Sequence, residues 1–356
     1  MSNINDFPSL ESNSSDKKKH IPFIAILMGI CVIFPFSIPF LLFYVFNIDF
    51  ESLSKEKAVP EDNEEISDEL QVYDVDELQF EDPVEVIVEK NDGWTITQYA
   101  SSNEIQAMIY TVEDVDGNLA IIDGGYTYDN EKIRNIIVSH DNHVTTWIIT
   151  HPHPDHVGSF NAIMDAPGDI EVDEIYSVDV NVDRYRETAQ SYDGFESCEE
   201  FYRILGTIDS SKIHFVHKGD TFDVLGLRAE VFSAWDENVD ALPDHLCNDG
   251  SMMFLLSGNE ESMLFCADVQ KEMEPFIELS EAACSAKYVQ AGHHGNWGLS
   301  TEFYDLLSPE MVFFDSTDYL LDPDSNFDAL ALKEYFEGRS IEVVNYSNAP
   351  TTVVLH

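Results

Sequence analysis

Between Thr145 and His156 the chain passes from an apolar, β-branched run ending at Thr150 straight into His151-Pro152-His153-Pro154-Asp155-His156. The run reads as a buried strand, and the segment at its end crowds imidazoles and a carboxylate into a single turn of chain. Alternate residues of an extended segment share a face, so His151 and His153 converge on one cation, while Asp155 and His156 aim at a second beside it. Nitrogen and oxygen donors of this kind suit a borderline divalent ion. A strand end running into a helix start holds them with little freedom.

The residues around this cluster predict a globular α/β domain over residues 83–356. Short apolar or alternating runs read as strands at Val84–Val88, Trp94–Tyr99, Ile105–Val112 and Leu119–Ile122 before the cluster. After it, strands are expected at Ile213–Val216, Leu227–Phe232, Met252–Leu256, Met263–Ala267, Lys287–Gln290, Val312–Phe314, Ile341–Val344 and Thr352–Leu355. Asp116-Gly117-Asn118 and Gly258-Asn259 fall between adjacent runs as hairpin turns. Helices are expected near Asn130–Val138, Glu302–Leu307 and Ala329–Phe336. Strands grouped with interspersed helices, and no nucleotide-binding glycine fingerprint, point to two sheets packed face to face with helices outside. The stretch from Asp173 to Phe201 reads as an insertion over the site, where Tyr176, Tyr185 and Tyr192 are candidate substrate contacts. Asp322 to Asp328 lacks the offsets of a calcium loop and reads as an acidic entry to a helix.

The first eighty residues differ in kind. Residues 1–20 are a short tail, and Ile21 to Ile48 contain no charged side chain, a span long enough to cross a bilayer as one transmembrane helix. Lys17, Lys18 and Lys19 precede the span, which favours a cytoplasmic N-terminus, a single-pass cell-membrane protein and an extracellular C-terminal domain. Residues 49–82 carry fourteen acids and two lysines, an acidic flexible linker.

Of the formal net charge of −50, that linker carries −12, the tail is neutral, and −38 remains on residues 83–356. A surface this acidic repels polyanions, so long nucleic acid is disfavoured as a partner. A small-molecule or cell-envelope substrate is expected instead. The five cysteines are too scattered for a disulfide framework.

Three further segments complete a constellation. Asp123-Gly124-Gly125 ends a strand, where an acid can orient a metal-bound histidine. Asp268 closes the apolar run Met263–Ala267 with a carboxylate able to bridge two ions, and Gly292-His293-His294-Gly295 closes another strand with paired imidazoles. In this order the segments resemble the metallo-β-lactamase superfamily over residues 84–356, and Asn248-Asp249-Gly250-Ser251 together with Gly-His-His-Gly looks most like the hydrolase domain of the ComEC competence family.

The resemblance implies a four-layer αββα sandwich and a metal-dependent hydrolase that uses a metal-bound hydroxide. Its cofactor would be two divalent ions, zinc first, with manganese or iron as alternatives. It gives His151 and His153 to the first ion, Asp155, His156 and His293 to the second, and Asp268 to both. Asp155 and His294 would act catalytically, with His294 either supporting the ligands from behind or donating a proton, a task a nearby tyrosine could also take. The histidine that the family places before the bridging acid has no clear counterpart here; His245, Cys247 and Asp249 are the candidates for that extra ligand. The expected substrate is a phosphodiester, with a ComEC-like nuclease or a non-catalytic binding domain of the same fold as the alternatives.

Overall fold

The computed structural model describes residues 93–346 and 350–356. The tail, the transmembrane helix expected at 21–48, the linker at 49–82 and the strand expected at Val84–Val88 lie outside these residues. Among the described residues no helix is long and apolar enough to cross a membrane.

Among the described residues fourteen strands form two seven-stranded sheets. The first contains β1 (Trp94–Gln98), β2 (Ile109–Glu113), β3 (Leu119–Asp123), β4 (His143–Ile149), β5 (Glu171–Val178), β6 (Ile213–Val216) and β14 (Thr351–Leu355), in the order β14-β1-β2-β3-β4-β5-β6. The second contains β7 (Thr221–Val224), β8 (Leu227–Ser233), β9 (Met253–Ser257), β10 (Ser262–Phe265), β11 (Tyr288–Gln290), β12 (Met311–Phe314) and β13 (Glu342–Asn345), in the order β13-β12-β11-β10-β9-β8-β7. Helices of seven or more residues are α1 (Asn130–Val138), α2 (Pro154–Asp165), α3 (Val182–Thr188), α4 (Glu196–Leu205) and α5 (Ala329–Glu337).

The two sheets repeat one plan. Pairing is antiparallel from β14 through β3 and parallel from β3 through β6; in the second sheet it is antiparallel from β7 through β10 and parallel from β10 through β13. The sequence carries no visible repeat, because sheet topology is kept by apolar alternation and not by residue identity.

That alternation explains the layers. In β3, Ala120 and Ile122 enter the large apolar cluster between the sheets, while Leu119 and Ile121 enter a second cluster on the outer face. In β4, Ile148 points inward, and Trp147 and Ile149 point outward against Phe160 of α2 and Phe201 of α4. Trp147 and Phe160 meet edge to face at 5.1 Å, a pairing worth about 0.5–1.5 kcal/mol beyond the burial of both rings. A strand apolar on both faces therefore carries a sheet on one side and helices on the other.

The segment from Asp173 to Phe201 corrects the reading of it as an insertion. Its first residues belong to β5, which lies between β4 and β6, and the rest form α3 and the start of α4. Glu and Tyr alternating with Val and Ile hid the strand. Both hairpin turns are present, and Asp114 accepts the backbone N–H groups of Asp116 and Asn118 at 2.9 Å each around Gly117. The 322–328 segment leads into α5, where Asp328 accepts the backbone N–H of Trp297 at 2.6 Å.

Candidate metal centre

Parallel pairing puts the carboxyl ends of β3 and β4 at one edge of the first sheet and those of β10 and β11 at one edge of the second. Every residue of the constellation follows one of these strands. Asp123 is the last residue of β3; His151 to His156 follow β4; Asp268 follows β10; His293 and His294 follow β11. Backbone bonds tie the ends together: Met108 N–H donates to Asp155 O at 3.2 Å, and His293 N–H donates to Ala267 O at 2.8 Å.

His153 caps α2 in an extended conformation and Pro154 opens the helix, a placement that needs no N–H. Asp155 and His156 thus leave the first helical turn side by side. Gly158 lets the helix approach the preceding loop, since a Cβ there would sit 2.4 Å from Thr127 N. His293, His294 and Gly295 all have positive φ, at 51°, 61° and 86°. Left-handed backbone at consecutive non-glycine residues costs roughly 1 kcal/mol or more each, and such strain persists where the surroundings impose it. Here it turns the second imidazole of the pair inward.

Asp123 is wholly buried and holds three donors. Its carboxylate accepts Thr150 N–H, Thr150 Oγ1–H and His156 Nδ1–H, each at 2.7 Å. With its proton given to Asp123, the Thr150 hydroxyl oxygen accepts from His151 Nδ1–H at 3.1 Å. In their neutral forms both His151 and His156 therefore carry the lone pair on Nε2. Both Nε2 atoms are buried without a hydrogen-bond partner, as is Asp268 Oδ1.

These free donors converge. Asp268 Oδ2 lies 3.2 Å from His156 Nε2, 3.4 Å from His294 Nε2 and 3.8 Å from His151 Nε2, and Asp155 Oδ2 lies 3.1 Å from His294 Nε2. Two donors each ~2.1 Å from a tetrahedral ion stand ~3.4 Å apart, so the spacing is that of a divalent cation's ligands. Three groups have ligand atoms all within 4.8 Å of one another: Asp155, His156 and His294; His151, His156 and Asp268; and His151, His153 and Cys247.

Electrostatics point the same way. Burial disfavours a protonated His156, yet Asp268 and Asp123 raise its pKa well above the usual histidine value. Burial likewise opposes protonation of His294, and Asp268 and Asp155 overcome it, pushing its pKa up to about 10. Burial drives His151 well below the histidine range. Burial also works to raise Asp155 and Asp268, and neighbouring imidazoles overcome it and hold both ionised. A buried field that attracts protons this strongly attracts a cation, and the donor set fits one.

One assignment is corrected. His294, and not His293, joins Asp155 and His156, because the left-handed turn carries the second ring into the cleft. His293 Nε2 stays 4.0 Å from Asp268 and accepts Asn248 Nδ2–H at 3.4 Å. The sequence does not resolve the order, since neighbouring histidines carry the same signal until φ is known. Of the candidates for the extra ligand, Cys247 joins His151 and His153. His245 lies on the cavity wall outside every ligand group. Asp249, pushed up to about 7 by burial, turns away to accept Gln270 N–H at 3.1 Å.

The centre opens into a cavity of ≈ 770 Å³. His153, Asp155, Asp268, His293 and His294 line its floor, and Tyr126, Tyr192, Trp297, Tyr319 and Phe327 line its walls. Among its described lining residues Lys271 is the one lysine or arginine, and the acids Asp193, Glu272 and Asp328 line it as well. Tyr192 is thus on the wall as expected. Tyr185 is buried with its hydroxyl 3.0 Å from His153 Nε2, and Tyr176 stacks on Phe222 at 4.0 Å. Thr150 is the functional residue that the sequence reading missed; its place directly before the histidines is the signal.

Two sheets back to back, with carboxylate and imidazole donors gathered at the ends of parallel strands, define an α/β sandwich built around a divalent-metal centre. Residues 103–314 match the Metallo-beta-lactamase superfamily, and the chain belongs to it. No curated protein matches the chain significantly. Among solved structures it is similar to the metallo-beta-lactamase fold protein YhfI from Bacillus subtilis, at 10% identity over 74% of this chain and 99% of that one, TM-score 0.46. It is also similar to CmlA, a diiron beta-hydroxylase from Streptomyces venezuelae, at 15% identity, TM-score 0.48, over 74% of this chain and 54% of that one. A third is a diphosphatase from the PhnP family, at 9% identity, TM-score 0.40, over 74% and 98%.

Proposed function

We propose that this protein is a membrane-anchored, metal-dependent hydrolase of a small or cell-envelope substrate, with a phosphodiester preferred. The observation that carries the reading is the convergence of buried, unpartnered donors around Asp268 at ligand spacing. His151 and His153 would hold one ion, Asp155, His156 and His294 the other, and Asp268 both; zinc suits imidazole and carboxylate donors, and manganese and iron remain open. When bound, a pair of such ions supplies an activated water near neutral pH and stabilises charge on the scissile group's oxygens.

The protein's own groups do the rest. Asp123 and Thr150 keep the donor nitrogens of His151 and His156 facing the centre. Because His293 Nε2 accepts from Asn248, the neutral ring carries its proton on Nδ1, which has no partner, and His293 lines the cavity. That nitrogen is enclosed, so the proton for the leaving group would come instead from a tyrosine of the cavity wall, with Tyr126 on it. Burial raises the pKa of Tyr319 to about 12, and its hydroxyl donates to Gln106 Oε1, also on the cavity wall.

The cavity's aromatic walls and acidic rim favour a small substrate over a nucleic acid chain, which disfavours a nuclease of the ComEC kind. Anchoring through residues 21–48 and an extracellular domain rest on the charge pattern of the sequence. The test uses the full-length protein purified in detergent: metal analysis, then a panel of phosphodiester, thioester and lactam substrates. Two equivalents of metal and phosphodiesterase activity lost in His153→Ala and Asp268→Ala are expected. Folded protein that takes up no metal and hydrolyses nothing supports the non-catalytic alternative.

A further inference from the structure

We propose that Cys247 supplies a thiolate ligand to the first ion, making that seat a mixed imidazole–thiolate one. The inference rests on the metal-centre reading above and concerns the position where that seat lacks a histidine.

The geometry is specific. Cys247 lies in the helical turn Leu246–Asp249 just before β9, and its Sγ is within 4.8 Å of the ligand atoms of both His151 and His153. All three residues are buried, with Cys247 1% exposed and His151 0%. His151 Nε2 has no partner although it is fully enclosed, so a polar atom is aimed into this space with nothing to receive it. An unpartnered buried nitrogen costs roughly 1–3 kcal/mol, a cost a cation would remove.

A second observation is independent of the first. Tyr185 Oη lies 3.0 Å from His153 Nε2, and its hydroxyl donates to Asp193 O at 3.5 Å. With that proton given to Asp193, the phenol oxygen accepts from His153 Nε2–H. That order leaves His153 Nδ1 with the lone pair for an ion it shares with His151 and Cys247. Tyr185 is thus a positioning residue for His153. Its own ring is locked in place by Phe195, edge to face at 5.0 Å.

On uptake the Sγ–H bond breaks, the sulfur–metal bond forms, and the proton leaves to solvent. The consequence is selectivity. A sulfur ligand favours zinc and cobalt over manganese and magnesium at this seat, while the second seat, built from Asp155, His156 and His294, accepts harder ions.

The test is cobalt substitution of the full-length protein, read by absorption. Wild type loaded with Co(II) should show an intense near-ultraviolet thiolate-to-cobalt charge-transfer band. Cys247→Ser should lose that band and one equivalent of tightly held metal, with affinity at the first seat down at least about 100-fold. Cys247→His should regain the metal without the band. Tyr185→Phe, which frees the His153 tautomer, should keep the band at unchanged energy while cobalt affinity at the first seat falls about 10-fold. Protein that binds two equivalents of cobalt with no charge-transfer band overturns the thiolate and leaves the metal centre standing. Protein that binds no cobalt overturns both. Cys247→Ser that folds like wild type yet retains the band assigns it to another sulfur and likewise rejects the proposal.

Discussion

Asp123→Asn isolates the orienting role of one carboxylate at nearly unchanged volume. The wild-type group accepts three hydrogen bonds of 2.7 Å, two from Thr150 and one from His156 Nδ1. Asparagine can still accept Thr150 N–H through its oxygen, but its amide then presents N–H groups to Thr150 Oγ1 and to His156 Nδ1–H. Two donors cannot face each other, so the His156 proton moves to Nε2, the nitrogen that lies 3.2 Å from Asp268. The ligand lone pair is then turned out of the centre. Loss of an outer partner of this kind weakens a metal site by roughly 10–100-fold, or ~1.4–2.7 kcal/mol. The assay is zinc affinity by competition with a chromophoric chelator, alongside urea unfolding of the metal-free protein to confirm that the variant is folded. Thr150→Ser, which keeps the hydroxyl, serves as the control and should bind like wild type. A folded Asp123→Asn protein whose zinc affinity stays within about twofold of wild type would refute the argument that this carboxylate sets the tautomer.

The other expectations follow from single contacts. His294→Ala should lose the metal of the second seat, whereas His293→Ala should keep full stoichiometry, as read by metal analysis. Asp315 accepts from Gln98 at 2.7 Å and Tyr110 at 2.6 Å, and burial raises its pKa to about 6. The native state therefore holds that proton more tightly than the unfolded chain does. Its contribution to stability is complete below the unfolded value of ~3.9 and lost as pH rises through about 6, up to ~3 kcal/mol in all. Asp315→Asn should flatten that part of the slope in urea midpoints collected across this range, and an unchanged slope would show that the carboxyl titrates normally. Gly158→Ala places a methyl group 2.4 Å from Thr127 N and 2.6 Å from Tyr126 C. Backbone on both counts has no rotamer to yield, so a loss of about 2–3 kcal/mol in urea denaturation is expected, with weaker metal binding as α2 is displaced.

Much of the site was legible before folding because its chemistry is local. Histidines two apart at a strand end, a proline opening a helix and carboxylates closing apolar runs declare themselves in residue order, and strand periodicity placed nearly every element that bears one. Asp123, His151, His153, Asp155, His156 and Asp268 all follow the strands that the apolar patterning marked. What the order of residues could not decide is which atoms face which. His293 and His294 differ only in backbone torsion, and the turn that separates their tasks is set by Gly292 packing on Val269 and by the ring of Phe314 beside Gly295. Cys247 reads as an ordinary core residue until β4 and the segment before β9 are folded together, a meeting of residues almost a hundred positions apart. The strand at Glu171–Val178 was hidden for a related reason, since its half-exposed acids pair with histidines of neighbouring strands, Asp173 with His143 and Glu174 with His214, and those partners are set only by the sheet. Composition and periodicity act within a few residues of themselves and determine elements, charge and donor types; the side-chain partners across the two sheets arise only when long-range packing has excluded every other arrangement.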